Sequence, residues 1–289
     1  INGNGELITC SEKENRDIFK SAQISLGALG IITRIKLRCI PAYKLELKNV
    51  RGNLKECLSN LEKYKKENRN FEFYHFPYTD VVQMKISNIT ENKPEKAGVM
   101  RYLNDMVIEN GAFKVISEVS RIFPSQSKRM GQLCGFLVGE SRRSTWSHQV
   151  YATARFVKFT EMEYNIPAEN YVECMNEIVA KIEKEQYNLH FPIESRFVKG
   201  DDIYLSPAYQ RDSAYVAVHM YKGMPFEKYL RDMEEIFNHY QGRPHWGKLH
   251  YKTSRELAEL YPKWNDFHEI RKRMDPNGIF MNDYLESIF

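Results

Sequence analysis

The sequence predicts an α+β protein, a large antiparallel sheet flanked by helices. Three observations predict it. Strand-like runs come in pairs: Phe71 to Phe76 with Val81 to Ser87, and Ile193 to Lys199 with Ala214 to Tyr221. Amphipathic helical runs stand between them, at Leu54 to Lys66, Ala168 to Gln186 and Phe226 to Tyr240. The order strand, helix, strand, strand then occurs twice around a helical insertion, as in repeats of a split βαβ type.

Taken in order, Glu6 to Cys10 reads as a short strand and Glu12 to Ser25 as a helix with Ile18, Phe19, Ala22 and Leu26 on one face. Gly27 and Gly30 follow, before an alternating strand from Thr33 to Cys39. Their spacing allows a tight turn and a close backbone approach, or simply a helix cap and a turn. It is not a dinucleotide fingerprint, because a strand rather than a helix follows. Pro41 ends that unit, and Tyr43 to Val50 reads as a strand. Val99 to Ile122 has a helical rhythm broken near Gly111, and Ser125 to Arg143 is polar with scattered glycines. Arg155 to Met162 reads as a strand, and Pro167 precedes the next helix.

The chain has 289 residues, 42% hydrophobic and 13% aromatic, a globular composition able to bury a sizeable core. Its net charge of +4 is mild and evenly mixed, which argues against nucleic acid as a partner. Cys10, Cys39, Cys57, Cys134 and Cys174 are odd in number, widely spaced and form no metal-binding pair, so neither a zinc site nor a disulfide framework is expected. A reducing, cytoplasmic compartment is the simpler reading, with peripheral membrane attachment as the alternative. No run has the length of a membrane span.

Residues i and i+2 of a strand share a face. Glu194 and Arg196 therefore lie side by side, opposite Ile193, Ser195 and Phe197. In the next strand Tyr215, Ala217, His219 and Tyr221 share a face, opposite Val216, Val218 and Met220. Two strands offering charged groups beside aromatic ones can line a sugar site, although a surface ion pair and a structural histidine would look the same. The loop Gly242-Arg243-Pro244-His245-Trp246-Gly247-Lys248 adds a cation, an imidazole and an indole on a shaped turn.

Pro192-Ile193-Glu194-Ser195-Arg196-Phe197, Gly200-Asp201-Asp202, Leu205-Ser206-Pro207, Gln210-Arg211-Asp212-Ser213, the Gly242 to Lys248 loop and the ending Asp275 to Leu285 resemble the sugar-1,4-lactone oxidases, flavoproteins of the vanillyl-alcohol-oxidase type. The resemblance implies a cap domain with a large antiparallel sheet attached to an FAD-binding domain. On it, residues 1–40 are the trailing part of the FAD domain, 41–274 the cap, and 275–289 a segment returning to the FAD domain. The Gly-rich stretch that opens such proteins is not in this sequence, so the chain is expected to be a C-terminal part whose partner is the rest of the FAD domain. Gly27, Gly30, Ile31, Asn282 and Tyr284 would approach FAD. Glu194, Arg196, Lys248 and His219 match the catalytic positions, with Tyr215, His245 and Trp246 against the sugar. Arg196 cannot give up its proton and suits charge stabilisation. Glu194 would hold it, and Lys248 or His219 would serve as base, since a neighbouring cation and burial lower a lysine pKa. The reaction implied is oxidation of the C2 hydroxyl of an aldono-1,4-lactone to an ascorbate-like product, with oxygen or another acceptor taking the electrons. The alternatives are an alditol oxidase and a flavin-free carbohydrate-binding or interaction module.

Overall fold

A computed structural model describes residues 1–95, 110–151 and 156–289. Eight strands form one sheet: β1 (Lys44–Asn53), β2 (Asn70–His75), β3 (Val81–Ile89), β4 (Ser141–Trp146), β5 (Phe159–Pro167), β6 (Ile193–Val198), β7 (Ser213–Tyr221) and β8 (Arg243–Pro244). Their spatial order is β4-β1-β3-β2-β6-β7-β5-β8, and every pairing is antiparallel. The split repeat is explicit in this order. β1, β2 and β3 run as first, third, second, and so do β5, β6 and β7; the two units join edge to edge at β2 and β6.

The helices are α1 (Arg16–Ala22), α2 (Leu54–Ser59), α3 (Leu61–Glu67), α4 (Asn110–Ile122), α5 (Ser127–Leu137), α6 (Ser147–Val150), α7 (Tyr171–Glu185), α8 (Glu227–His239), α9 (Ser254–Leu260), α10 (Trp264–Met274) and α11 (Asp283–Ile288). α7 buries Tyr171, Cys174, Met175, Ile178 and Ile182, the stripe that a 3.6-residue period brings to one side. They meet Phe73, Met162, Ile193, Val216 and Val218 of the sheet and Leu230, Met233 and Phe237 of α8. Each such side chain, once fully buried, contributes about 1.5–3 kcal/mol. A second apolar cluster joins Ile18, Ala28 and Leu29 to Leu257, Tyr261, Trp264, Phe267 and Leu285. The two ends of the chain thus pack together, along with α9 and α10.

Several expected elements differ. Glu6 to Cys10 and Thr33 to Cys39 are not strands, because neither finds a strand to pair with among the described residues. The helix expected from Leu54 to Lys66 is two short ones, broken at Asn60. The one expected from Ala168 begins as a 3-10 turn before α7. α5 and β4 form within a stretch whose polarity hid both; β4 is an edge strand, where exposed charge is tolerated. β5 runs on to Pro167. Part of the Val99 to Ile122 run, and Arg155, lie outside the described residues.

Candidate active site on the outer sheet face

The sheet face turned away from α7 and α8 carries the charge. Register sets Glu194 and Glu163 each opposite Ala217, Arg196 opposite Tyr215, and Glu161 opposite His219. The same row continues through Tyr74, paired with Glu194, and Glu72, paired with Arg196. Burial pushes the Glu72 carboxyl up, against the pull of Lys85. Glu194, Arg196, Tyr215 and His219 therefore share one face, as their alternation predicts.

Arg196 does not pair with Glu194. Its Nε and Nη2 donate to Glu163 Oε1 at 3.0 and 2.5 Å, and its guanidinium lies 5.4 Å from the Tyr215 ring centroid. Glu163 is buried, and its Oε2 has no partner among the described residues. Glu194 is part-exposed, accepts no hydrogen bond from another described side chain, and acts on Arg196 only through space.

Lys248 pairs with Glu161, whose other oxygen lies 3.3 Å from His219 Nε2. Burial works to raise the Glu161 carboxyl, but His219 and Lys248 outweigh it and hold it at about 2. His219 also directs Nδ1 at the Pro192 carbonyl, 3.2 Å away, and is walled by Phe159 and Phe191. The two residues expected as base candidates, Lys248 and His219, thus both contact one carboxylate, Glu161.

The Gly242 to Lys248 loop divides its work. Gly242 donates to the Phe237 carbonyl at 2.8 Å, where a Cβ would lie within 2.9 Å of Tyr164. Arg243 donates to the carbonyls of Leu260, Pro207 and Tyr209. Trp246 donates to the Leu205 carbonyl and stacks on Tyr261 at 5.1 Å, so its indole fastens the sheet to the helical cluster and is taken up by packing. His245 and Lys248 remain on the charged face. The backbone N–H groups of His245 and Leu249 bond to the carbonyls of Glu163 and Glu161. His245 Nδ1 accepts from the Gly247 N–H at 3.0 Å, and its ring meets Tyr215 edge-on at 6.3 Å.

The residues expected near a cofactor are spread over the second cluster. Gly27 has φ +80° and open space where a Cβ would stand. At Gly30 a Cβ would collide with the Ile1 carbonyl, so the missing side chain there serves packing. Ile31 is exposed and exchanges backbone hydrogen bonds with Ile1. Asn282 caps α11 through Leu285 N. Tyr284 is half exposed, with its hydroxyl 3.0 Å from His250 Nε2, two residues beyond Lys248. Sequence reasoning missed Glu161, Glu163 and Asn165. Glu161 lies inside the expected strand from Arg155 to Met162, and carrying that strand on to Pro167 brings in Glu163 and Asn165, which alternate with Met162, Tyr164 and Ile166.

An antiparallel sheet with an apolar inner face and interlocked carboxylates and cations on the outer one defines an α+β protein with a charged, partly open sheet face. A family model described as D-arabinono-1,4-lactone oxidase matches residues 35–288. The chain is 38% identical over 288 residues to a Mycobacterium tuberculosis protein named L-gulono-1,4-lactone dehydrogenase, an alignment covering 100% of this chain and 67% of that one. It is 32% identical over 296 residues to the L-gulonolactone oxidase of Mus musculus, again covering 100% and 67%. Cholesterol oxidase from B. sterolicum shares the fold, with a TM-score of 0.59 at 15% identity over 86% of this chain and 60% of that one. The chain belongs to the D-arabinono-1,4-lactone oxidase family. It is a chain of a sugar-lactone oxidoreductase, spanning about two thirds of these relatives.

Proposed function

We propose that the outer face of the sheet holds an aldono-1,4-lactone for oxidation at its C2 hydroxyl, within a protein that binds FAD. The observation that carries this reading is the gathering of Glu194, Arg196 and Lys248 on one face, the two cations held by carboxylates two residues apart. The family match supports the substrate class. Gly27, Ile31, Asn282 and Tyr284 fit a cofactor-facing role, because each leaves backbone or side chain open. The cation pair also suits a cofactor that gains negative charge on reduction. Bound flavin would supply the acceptor for the hydride leaving C2.

The residues of this chain do the rest. Arg196 stays protonated and holds the substrate oxygen on which charge develops. Lys248, tied to Glu161, adds a second fixed charge and a donor for a ring hydroxyl. Glu194, which accepts no hydrogen bond from another described side chain and has Arg196 as a through-space neighbour, takes the hydrogen bond and then the proton of the C2 hydroxyl. Residues 31–40, outside any regular element and with Ile31, Ile32, Ile35, Leu37 and Ile40 exposed, suit a strand that pairs with further FAD-domain structure. The division into residues 1–40, 41–274 and 275–289 belongs to the same proposal.

The test is anaerobic addition of L-gulono-1,4-lactone, D-arabinono-1,4-lactone or an open-chain alditol to the complete, flavin-loaded protein. Bleaching by a lactone and not by the alditol is expected. Bleaching by the alditol alone would favour an alditol oxidase, and a protein that purifies without flavin would overturn the reading.

A further inference from the structure

We propose that Glu163 is the positioning residue that fixes Arg196 across β7, and that Ala217 keeps the path between them open. The proposal rests on the role given to Arg196 above. Arg196 stands on β6 and Glu163 on β5, with β7 between them. Its guanidinium passes the Tyr215 ring and reaches Glu163 by crossing the row that Ala217 occupies. Only a methyl group stands there, and it is fully covered.

The two partners differ in burial, and the difference is informative. The Glu163 side chain is 1% exposed and that of Arg196 43%. A carboxylate this buried is costly unless a charge meets it, so Glu163 needs Arg196. Arg196, still partly open, does not need Glu163 to be solvated. What it gains is a fixed direction. Glu163 occupies Nε and one side of Nη2, and leaves Nη1 without a partner among the described residues. A planar fork held at one edge presents the other edge in a set orientation. Glu194, the neighbour on the same strand, is thereby released for the ligand.

A residue that works through Arg196 has a signature that a merely structural one lacks. In the complete flavin-loaded protein, Glu163→Gln should slow lactone-driven flavin reduction about tenfold to hundredfold while Arg196 is present. In an Arg196→Ala background it should add no further loss, since interacting sites are non-additive. Ala217→Val, which keeps the Glu163 charge but fills the path, should reproduce this pattern and covers the case in which Glu163→Gln does not fold. NMR of arginine-labelled protein supplies a readout apart from turnover: a slowly exchanging Arg196 Nε–H signal in the wild type, lost in both variants. Equal fractional losses in both backgrounds, or an unchanged Nε–H signal, would overturn the proposal. Full reduction rates in Arg196→Ala would instead remove the role of Arg196, and the Nε–H signal would still decide whether Glu163 fixes it.

Discussion

Glu161 receives two partners at once, Lys248 on one oxygen and His219 on the other. Its carboxyl is drawn from 4.5 to about 2, so the folded state binds its proton less readily than the unfolded chain does. Stability from this group is therefore fully present above about pH 4.5 and lost as pH falls toward about 2. Glu161→Gln lacks that contribution at every pH. The urea midpoints of wild type and variant should differ at pH 6 by about 1–3 kcal/mol of unfolding free energy, as expected when a part-buried charged partner is removed. The gap should narrow below about pH 4.5. A gap independent of pH would mean that Glu161 is not held as an ion. Two other buried titrating groups respond to acid separately: burial pushes His75 and His190 down to about 4.

At the scale of elements, partners decide which patterns become structure. Residues 33–39 alternate as well as any strand in the chain, yet they stay unpaired among the described residues, since a ladder needs a second strand. Glu194 and Arg196 were legible because their strand alternates cleanly between charge and apolar residues. Glu163 was not, because it lies beyond the expected end of β5 at Met162, and Glu161, inside that expected strand, has its partners on other segments, His219 on β7 and Lys248 on the loop. That Glu161 and Glu163, rather than Glu194, hold the two cations depends on register across β7, which no local pattern encodes. α9 is fixed locally. Thr253 Oγ1 accepts from Glu256 N, and Glu256 returns to Thr253 N, a capping box. Thr253→Ala should cost about 1 kcal/mol. Chemical denaturation reads it, and a change within error would show that packing of Leu257 alone holds the helix.

On the scale of the whole molecule, the Gly242 to Lys248 loop joins two apolar clusters. Arg243 and Trp246 reach the helical one, while His245 and Lys248 stay on the sheet. The fold class and the repeated strand-helix-strand-strand order were legible from periodicity. The packing of α9 and α10 with the first thirty residues was not, because it joins segments more than two hundred positions apart. The central claim is that the outer sheet face oxidises a lactone with Glu194 open to it. Its most direct measurement is stopped-flow flavin reduction by lactone in the complete protein, wild type against Glu194→Gln, alongside thermal melts. Gln keeps the shape but loses the charge, and a charge-assisted hydrogen bond is worth about 1.5–3 kcal/mol. The reduction rate should therefore fall about tenfold to hundredfold at saturating lactone, with the melting temperature little changed. Equal rates in the two proteins would place Glu194 outside the chemistry and contradict the assignment of this face as the active site.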